Sequence, residues 1–276
     1  MMSTIAFHKM VASGNDFIVI DNRKGAISDP KAFAREFCPA HTGIGADGLL
    51  LVEPSKKADF FMRIVNADGS EAEACGNGYR IMGLYAQKVL GLGKSIEIET
   101  LAGAIKIHVN SASIKVKMTD PSDYRKDITI RDLQVKTSRG GQDLHAAYIN
   151  TGVPHVVIFT EGLETIPVAE LGRAIRRHKM FQPKGANVNF AEVTGKNELT
   201  LRTYERGVEA ETLACGTGTV ASAVVGHLTD RISAPVHVKT KSGETLKVYL
   251  ERSGLKVRNV FLEGGAKFVY EGRLVA

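Results

Sequence analysis

Glu73-Ala74-Cys75-Gly76-Asn77-Gly78 and Leu213-Ala214-Cys215-Gly216-Thr217-Gly218 decide how this chain is read. Each sets a thiol directly before a Gly-x-Gly turn. Each turn runs into a stretch of helical spacing, 79–90 after the first and 217–228 after the second. The two cysteines are 140 positions apart (215 − 75). Glycines at such a turn permit tight backbone and close approach of a ligand. The unpaired N–H groups and dipole of the helix that follows form an anion site. The same field stabilises a thiolate, drawing a cysteine below its ordinary value of about 8.5. Cys38 has no such sequel and reads as a small buried hydrophobe.

Working outward, the two halves match in order. Gly14-Asn15-Asp16-Phe17-Ile18-Val19-Ile20 answers Gly152-Val153-Pro154-His155-Val156-Val157-Ile158 at an offset of 138. Gly45-Ala46-Asp47 answers Gly185-Ala186-Asn187 at 140, and Phe61 to Asn66 answers Thr200 to Glu205 at 139. Beyond the cysteine turns, Ile96, Ile98, Thr100 and Gly103 answer Val236, Val238, Thr240 and Gly243. Ile114 to Lys117 then answers Leu255 to Arg258. Six matches in one order at nearly one offset imply two homologous domains. The polar stretch 119–127, with Pro121, reads as the boundary, and 260–269 as the return to the first domain. The expected domains are 1–119 with 263–276, carrying Cys75, and 120–262, carrying Cys215, with the active site in the cleft between them. Each half is strand-rich with one long helix, and Val220 to Val225 carries no charge. A helix so apolar is covered most simply by a sheet wrapped around it.

Composition narrows the function. Of 276 residues, 43% are hydrophobic and 24% charged, as in a soluble globular protein. The first ten residues have no leader-like apolar core, and no run approaches the roughly 20 apolar residues of a membrane span. A cytoplasmic protein is expected, with no membrane partner. Three cysteines without a Cys-x-x-Cys pair argue against a disulfide framework and a zinc site. The formal charge is +6, but its densest run, Arg173 to Lys179, reads as a solvated helix face, so no nucleic-acid partner is expected. Gly91-Leu92-Gly93-Lys94-Ser95 imitates the end of a phosphate-binding loop, yet its leading glycine would fall on Lys88.

Two anion cradles that converge can hold one carboxylate, with a sulfur on each face of the adjacent carbon. A thiolate removes the proton from one face, a thiol returns one to the other, and the stereocentre inverts with no cofactor and no metal. Donors on the carboxylate stabilise the enediolate-like charge, and a base with a pKa near working pH suits the transfer. Competing readings are a redox pair, a single nucleophile served by His155, and a non-catalytic small-anion binding protein.

Several motifs resemble diaminopimelate epimerases. They are Lys9-Met10 with Gly14-Asn15-Asp16-Phe17, Gly43 to Gly48, Asn66 to Glu71 through the first cysteine turn, and Tyr204-Glu205-Arg206-Gly207 through the second. The likeness runs the whole length. The wider superfamily includes proline racemase, hydroxyproline epimerase and the phenazine-pathway isomerase. The resemblance implies an α+β fold of two pseudosymmetric domains, each a barrel-like, mostly antiparallel sheet around a central helix. It implies a cofactor-independent isomerase interconverting LL- and meso-diaminopimelate for lysine and peptidoglycan precursors, with a homodimer as a candidate assembly. Cys75 and Cys215 would be the acid/base pair, supported by His155 and Glu205. Gly76, Asn77, Gly216 and Thr217 would grip the α-carboxylate. Asn15, Asn66, Asn187, Glu205 and Arg206 would bind the remaining amine and carboxylate groups. The chain departs from the family pattern at Val153, where asparagine is common, and at Gly48, where glutamine occurs. Both departures bear on substrate range, with a related proline, hydroxyproline or other amino-acid racemase as the alternative.

Overall fold

A computed structural model describes residues 4–133 and 143–275. Met1 to Ser3, the start of the segment read above for a leader, and Ala276 lie outside the described residues. The chain divides into two compact units, Met1–Lys117 with Glu263–Ala276, and Met118–Leu262.

The first unit contains strands β1 (Thr4–Ala12), β2 (Asn15–Asp21), β3 (Gly48–Glu53), β4 (Phe60–Asn66), β5 (Glu71–Ala72), β6 (Ser95–Thr100), β7 (Gly103–Val109) and β8 (Ile114–Lys117). The C-terminal strand, Lys267–Val275, pairs with β1. From there the pairing runs β1, β2, β3, β4, β6, β7, β8, with β5 on β4. Only β2–β3 and β4–β6 are parallel. Of these, β2 and β3 read as unbroken apolar runs because both faces are covered, whereas β6 alternates, burying Ile96 and Ile98. One face packs Ile18, Ile20, Leu49 and Leu51 against Phe33 and Ala34 of helix α1 (Pro30–Phe37). The other face meets helix α2 (Gly76–Lys88). Space for α2 is tight on two sides. A methyl at Gly78 would meet Leu50 and Met62, and one at Gly83 would meet Ile107, Val109 and Ile114. The sheet therefore curls around the helix. Each fully buried Leu, Ile or Val in this core contributes about 1.5–3 kcal/mol.

The second unit repeats this plan. Its strands are β9 (Ser122–Ile130), β10 (Leu144–Asn150), β11 (Pro154–Phe159), β12 (Asn187–Gly195), β13 (Glu198–Glu205), β14 (Ala210–Thr212), β15 (Val236–Thr240), β16 (Thr245–Ser253) and β17 (Lys256–Gly264). Pairing runs β9, β10, β11, β12, β13, β15, β16, with β14 on β13. Again two pairs are parallel, β11–β12 and β13–β15. Helix α3 (Val168–Arg176) buries Leu171 and Ile175 against Val156, Ile158, Val188 and Phe190. Helix α4 (Gly216–Leu228) has no acidic, lysine or arginine side chain and is buried along almost its whole length, as an apolar helix must be. Glycines with positive φ recur at matching places: Gly14 with Gly152, Gly45 with Gly185, Gly69 with Gly207 and Gly103 with Gly243. The repeat is thus a repeat of backbone conformation as well as of sequence.

Two details differ from the sequence reading. Both long helices start earlier than expected, at Gly76 and Gly216, because each cysteine is itself the N-cap. The polar stretch 119–127, which adjoins the division between the units at Lys117/Met118, is largely strand β9 and not a loop. Pro121 stands just before its first residue, where proline costs no ladder hydrogen bond.

Candidate active site

In the first unit Cys75 caps α2 in extended backbone conformation (φ −149°, ψ 107°), and its Sγ accepts the Gly78 N–H at 3.3 Å. The same sulfur donates its S–H to Asn15 Oδ1 at 3.7 Å. Asn15 cannot turn its amide around, because its Nδ2 donates to Asp47 Oδ2 at 2.7 Å and a carboxylate only accepts. Asn77 also donates to Asn15 Oδ1, at 3.4 Å. Asn77 is pinned in turn by Arg80, whose Nη2 donates to Asn77 Oδ1 at 3.0 Å and to Ser13 Oγ at 2.6 Å. Arg80 Nε donates to the Gly265 carbonyl at 3.1 Å. The Arg80 side chain is fully buried in the same α2 that carries the thiol. The expected residues Cys75, Gly76, Asn77 and Asn15 therefore come together. Asn66 sits exposed at the end of β4 and donates to Ser70 Oγ at 2.9 Å, closing the 66–70 turn.

In the second unit Cys215 caps α4 in the same way (φ −118°, ψ 113°). Its Sγ accepts the Gly218 N–H at 3.4 Å and lies 3.5 Å from Thr217 Oγ1. Thr151 holds the turn by donating to the Thr217 carbonyl at 3.1 Å. Behind this turn lies a buried polar group. Asn189 donates to His155 Nδ1 at 3.0 Å and to the Val156 carbonyl at 3.0 Å, and accepts from Thr203 Oγ1 at 3.0 Å. Burial, aided by the charge of Arg206, pushes His155 down to about 3, so its ring is neutral at physiological pH. Burial pushes the Glu205 carboxyl up from its ordinary value. Asn187 braces the loop next to it, accepting the Arg206 N–H at 2.8 Å and donating to the Pro154 carbonyl at 3.2 Å. The Arg206 guanidinium donates to the Lys184 carbonyl at 3.2 Å.

Cys38 lies in the core behind α1, and burial pushes its thiol up to about 11. Among the described residues no group of three or more His, Cys, Asp or Glu is placed to hold a metal, and no helix is long and apolar enough to cross a membrane. A cleft of about 310 Å³ in the second unit, lined by Asp120, Tyr124, Lys256 and Arg258, also touches Leu228. Leu228 is the last residue of α4, at the opposite end from Cys215, so this cleft is not where the candidate chemistry sits.

Sequence reasoning missed Asp47, Arg80, Asn189 and Thr203. For Arg80 a signal existed: it follows Asn77 by three positions on a largely apolar helix, which puts the two on one face. For Asn189, the alternation in Asn187-Val188-Asn189-Phe190 placed two amides on one face of a strand.

The architecture matches solved structures along its whole length. A PhzF-family phenazine biosynthesis protein from Bacillus anthracis superposes with a TM-score of 0.73 at 18% identity, covering 100% of both chains. A hydroxyproline epimerase from Agrobacterium vitis, solved with trans-4-hydroxy-L-proline, gives 0.70 at 15% identity over 99% of this chain and 94% of that one. The fold is therefore the duplicated barrel-and-helix class that these proteins share. Within that class, the diaminopimelate epimerase profile matches residues 7–123 and 147–269. A diaminopimelate epimerase from Aquifex aeolicus is 42% identical over 97% of both chains, and one from Archaeoglobus fulgidus is 40% identical over 98% of this chain and 96% of its own. The chain belongs to the diaminopimelate epimerase family.

Proposed function

We propose that this chain is a cofactor-independent isomerase that interconverts LL- and meso-diaminopimelate, in the supply of lysine and peptidoglycan precursors. Cys75 and Cys215 act on opposite faces of one α-carbon. One sulfur, as thiolate, takes the α-proton, and the other, as thiol, delivers its proton to the opposite face. Each turnover leaves the protonation states of the two sulfurs exchanged, so the reaction runs in both directions. Gly76, Asn77, Gly216 and Thr217 hold the α-carboxylate at the two helix N-termini, where N–H groups stabilise the charge that builds up as the proton leaves. Asn15, Asn66, Asn187, Glu205 and Arg206 receive the other amine and carboxylate groups. His155 and Glu205 support the thiols.

The observation that carries this reading is that one device is built twice. In both units a cysteine caps a buried helix, its sulfur accepts the N–H three residues on, and a Gly-x-Gly turn leaves backbone donors open beside it. A protein that merely bound a small anion would need the turns but not the sulfurs. Both sulfurs accept the N–H three residues on, as a thiolate at a helix N-terminus would, so either cysteine can serve as the base, according to the direction of the reaction. Family membership and relatives about 40% identical that bear the diaminopimelate epimerase name support the substrate. The test is a stereochemical assay without added metal or cofactor, with LL-diaminopimelate, L-proline and trans-4-hydroxy-L-proline side by side. Conversion of LL-diaminopimelate alone is expected. Turnover of proline instead would refute the substrate, and turnover of none would refute the activity.

A further inference from the structure

The buried polar group behind Cys215 has no counterpart in the first unit, although the backbone is repeated. Asn189 pairs with Thr203 across β12 and β13 as Leu50 pairs with Ile64 across β3 and β4, and Leu50 and Ile64 are both buried and apolar. At the offset of 138, His155 corresponds to Phe17, also buried. The same three places are thus occupied by hydrocarbon under one thiol and by a hydrogen-bonded triad under the other. Polar groups without water are costly unless satisfied, so the scaffold alone does not explain them.

Hydrogen-bond arithmetic fixes their states. The Val156 carbonyl can only accept, so the Asn189 atom 3.0 Å from it is Nδ2. The Thr203 hydroxyl completes the assignment by donating to Asn189 Oδ1. The second hydrogen on Nδ2 then points at His155 Nδ1, which must accept it. A neutral imidazole that accepts at Nδ1 carries its proton on Nε2. That Nε2 is fully buried and has no hydrogen-bond partner among the described residues. An orphaned buried N–H costs about 1–3 kcal/mol, and such groups call for an explanation in function.

We propose that Asn189 and Thr203 are positioning residues that lock His155 as the Nε2–H tautomer, keeping a single fixed donor ready for an acceptor that arrives with substrate. Gly218 is part of the same construction, since a methyl there would overlap the Asn189 carboxamide oxygen. The first turn of α4 can therefore rest directly on the amide that orients the imidazole. This inference rests on the reading above that His155 serves the reaction.

The experiment is 15N NMR of histidine-labelled protein, with His155 assigned by loss of its signals in His155→Gln, alongside steady-state kinetics on LL-diaminopimelate. Wild type should show Nε2 at the protonated, pyrrole-type shift and Nδ1 at the pyridine-type shift. Asn189→Leu copies the first unit's residue and should give mixed tautomers, with kcat down about tenfold, one hydrogen bond's worth, and KM unchanged. Thr203→Ser keeps the hydroxyl and should retain both the signature and kcat. A wild-type spectrum with Nδ1 protonated overturns the proposal even if Asn189→Leu does not fold. So does an Asn189→Leu variant with wild-type tautomer and kcat. An unchanged kcat in His155→Gln would instead overturn the reading on which the kinetic part rests, leaving the tautomer assignment to the spectrum.

Discussion

Replacing Gly218 by alanine sets two physical effects against each other. In a helix interior alanine is favoured over glycine by about 1 kcal/mol, so propensity alone predicts a more stable protein. Sterics oppose this. The added methyl would overlap Asn189 Oδ1 and stand 3.3 Å from Cys215 Cβ and Sγ. Asn189 is fully buried and held by three hydrogen bonds, so it has nowhere to move. Overpacking a rigid site costs about 1–3 kcal/mol, and breaking the Thr203 bond adds about 1 kcal/mol. The balance is a destabilisation of about 1–3 kcal/mol. At roughly 2–4 °C per kcal/mol for a domain of this size, Tm should fall by several degrees. The twin substitution Gly78→Ala is the control. There the nearest atom is Met62 Cε at 2.8 Å, the far end of a flexible side chain, with Leu50 Cδ2 at 3.5 Å. That cost should be cancelled by the propensity gain, leaving Tm within about 2 °C of wild type. Thermal unfolding followed by circular dichroism, with kcat measured on the folded variants, reads both. If Gly218→Ala is at least as stable as wild type and equally active, the turn does not rest on Asn189 and the reasoning fails.

Cys75→Ala and Cys215→Ala should each lower kcat by at least about 10³-fold in both reaction directions, since each removes a proton carrier; a variant that keeps one direction at near-wild-type rate would contradict a two-base exchange. Acid should unfold the protein partly through His155. Its folded-state value, about 3, lies below its ordinary 6.5, so the stability is present above about 6.5 and is lost as pH falls towards 3, at up to about 1.4 kcal/mol per pH unit. His155→Gln should show a shallower loss over that window in urea melts at stepped pH, and an unchanged slope would count against a buried neutral ring. Mild oxidation should inactivate the enzyme and dithiothreitol should restore it, because both working sulfurs must be reduced; full activity with both thiols blocked to alkylation would refute their role. Arg80→Leu should raise KM for LL-diaminopimelate at least tenfold, by freeing the Asn77 amide that the buried guanidinium orients.

The duplication was legible because backbone requirements leave marks in sequence. Glycines that must take positive φ, such as Gly45 and Gly185, recur at one offset, and the two Cys-Gly turns sit at helix starts. The apolar runs Phe17 to Ile20 and Leu49 to Val52 announced strands covered on both faces. Polar networks inside the fold were less legible. Asp47 orients Asn15 across 32 positions of chain, and no local pattern encodes that pairing. Asn189 and Thr203 looked like ordinary strand residues, and only the register of β12 against β13 sets the Thr203 hydroxyl against the Asn189 amide. The Asn66 side chain, expected among the substrate contacts, is engaged in closing its own turn. A recognition role for Asn66 remains part of the proposed function, with Asn66→Ala and a rise in KM as its measure.

The claim on which the account turns is that protons pass between solvent and one carbon through two sulfurs on opposite faces. Turnover of unlabelled LL-diaminopimelate in deuterated water, sampled at early times, measures this directly. The meso product should carry deuterium at the inverted α-carbon from the first turnovers, while unreacted LL-diaminopimelate stays largely unlabelled. Product with no solvent deuterium at that carbon would contradict the account.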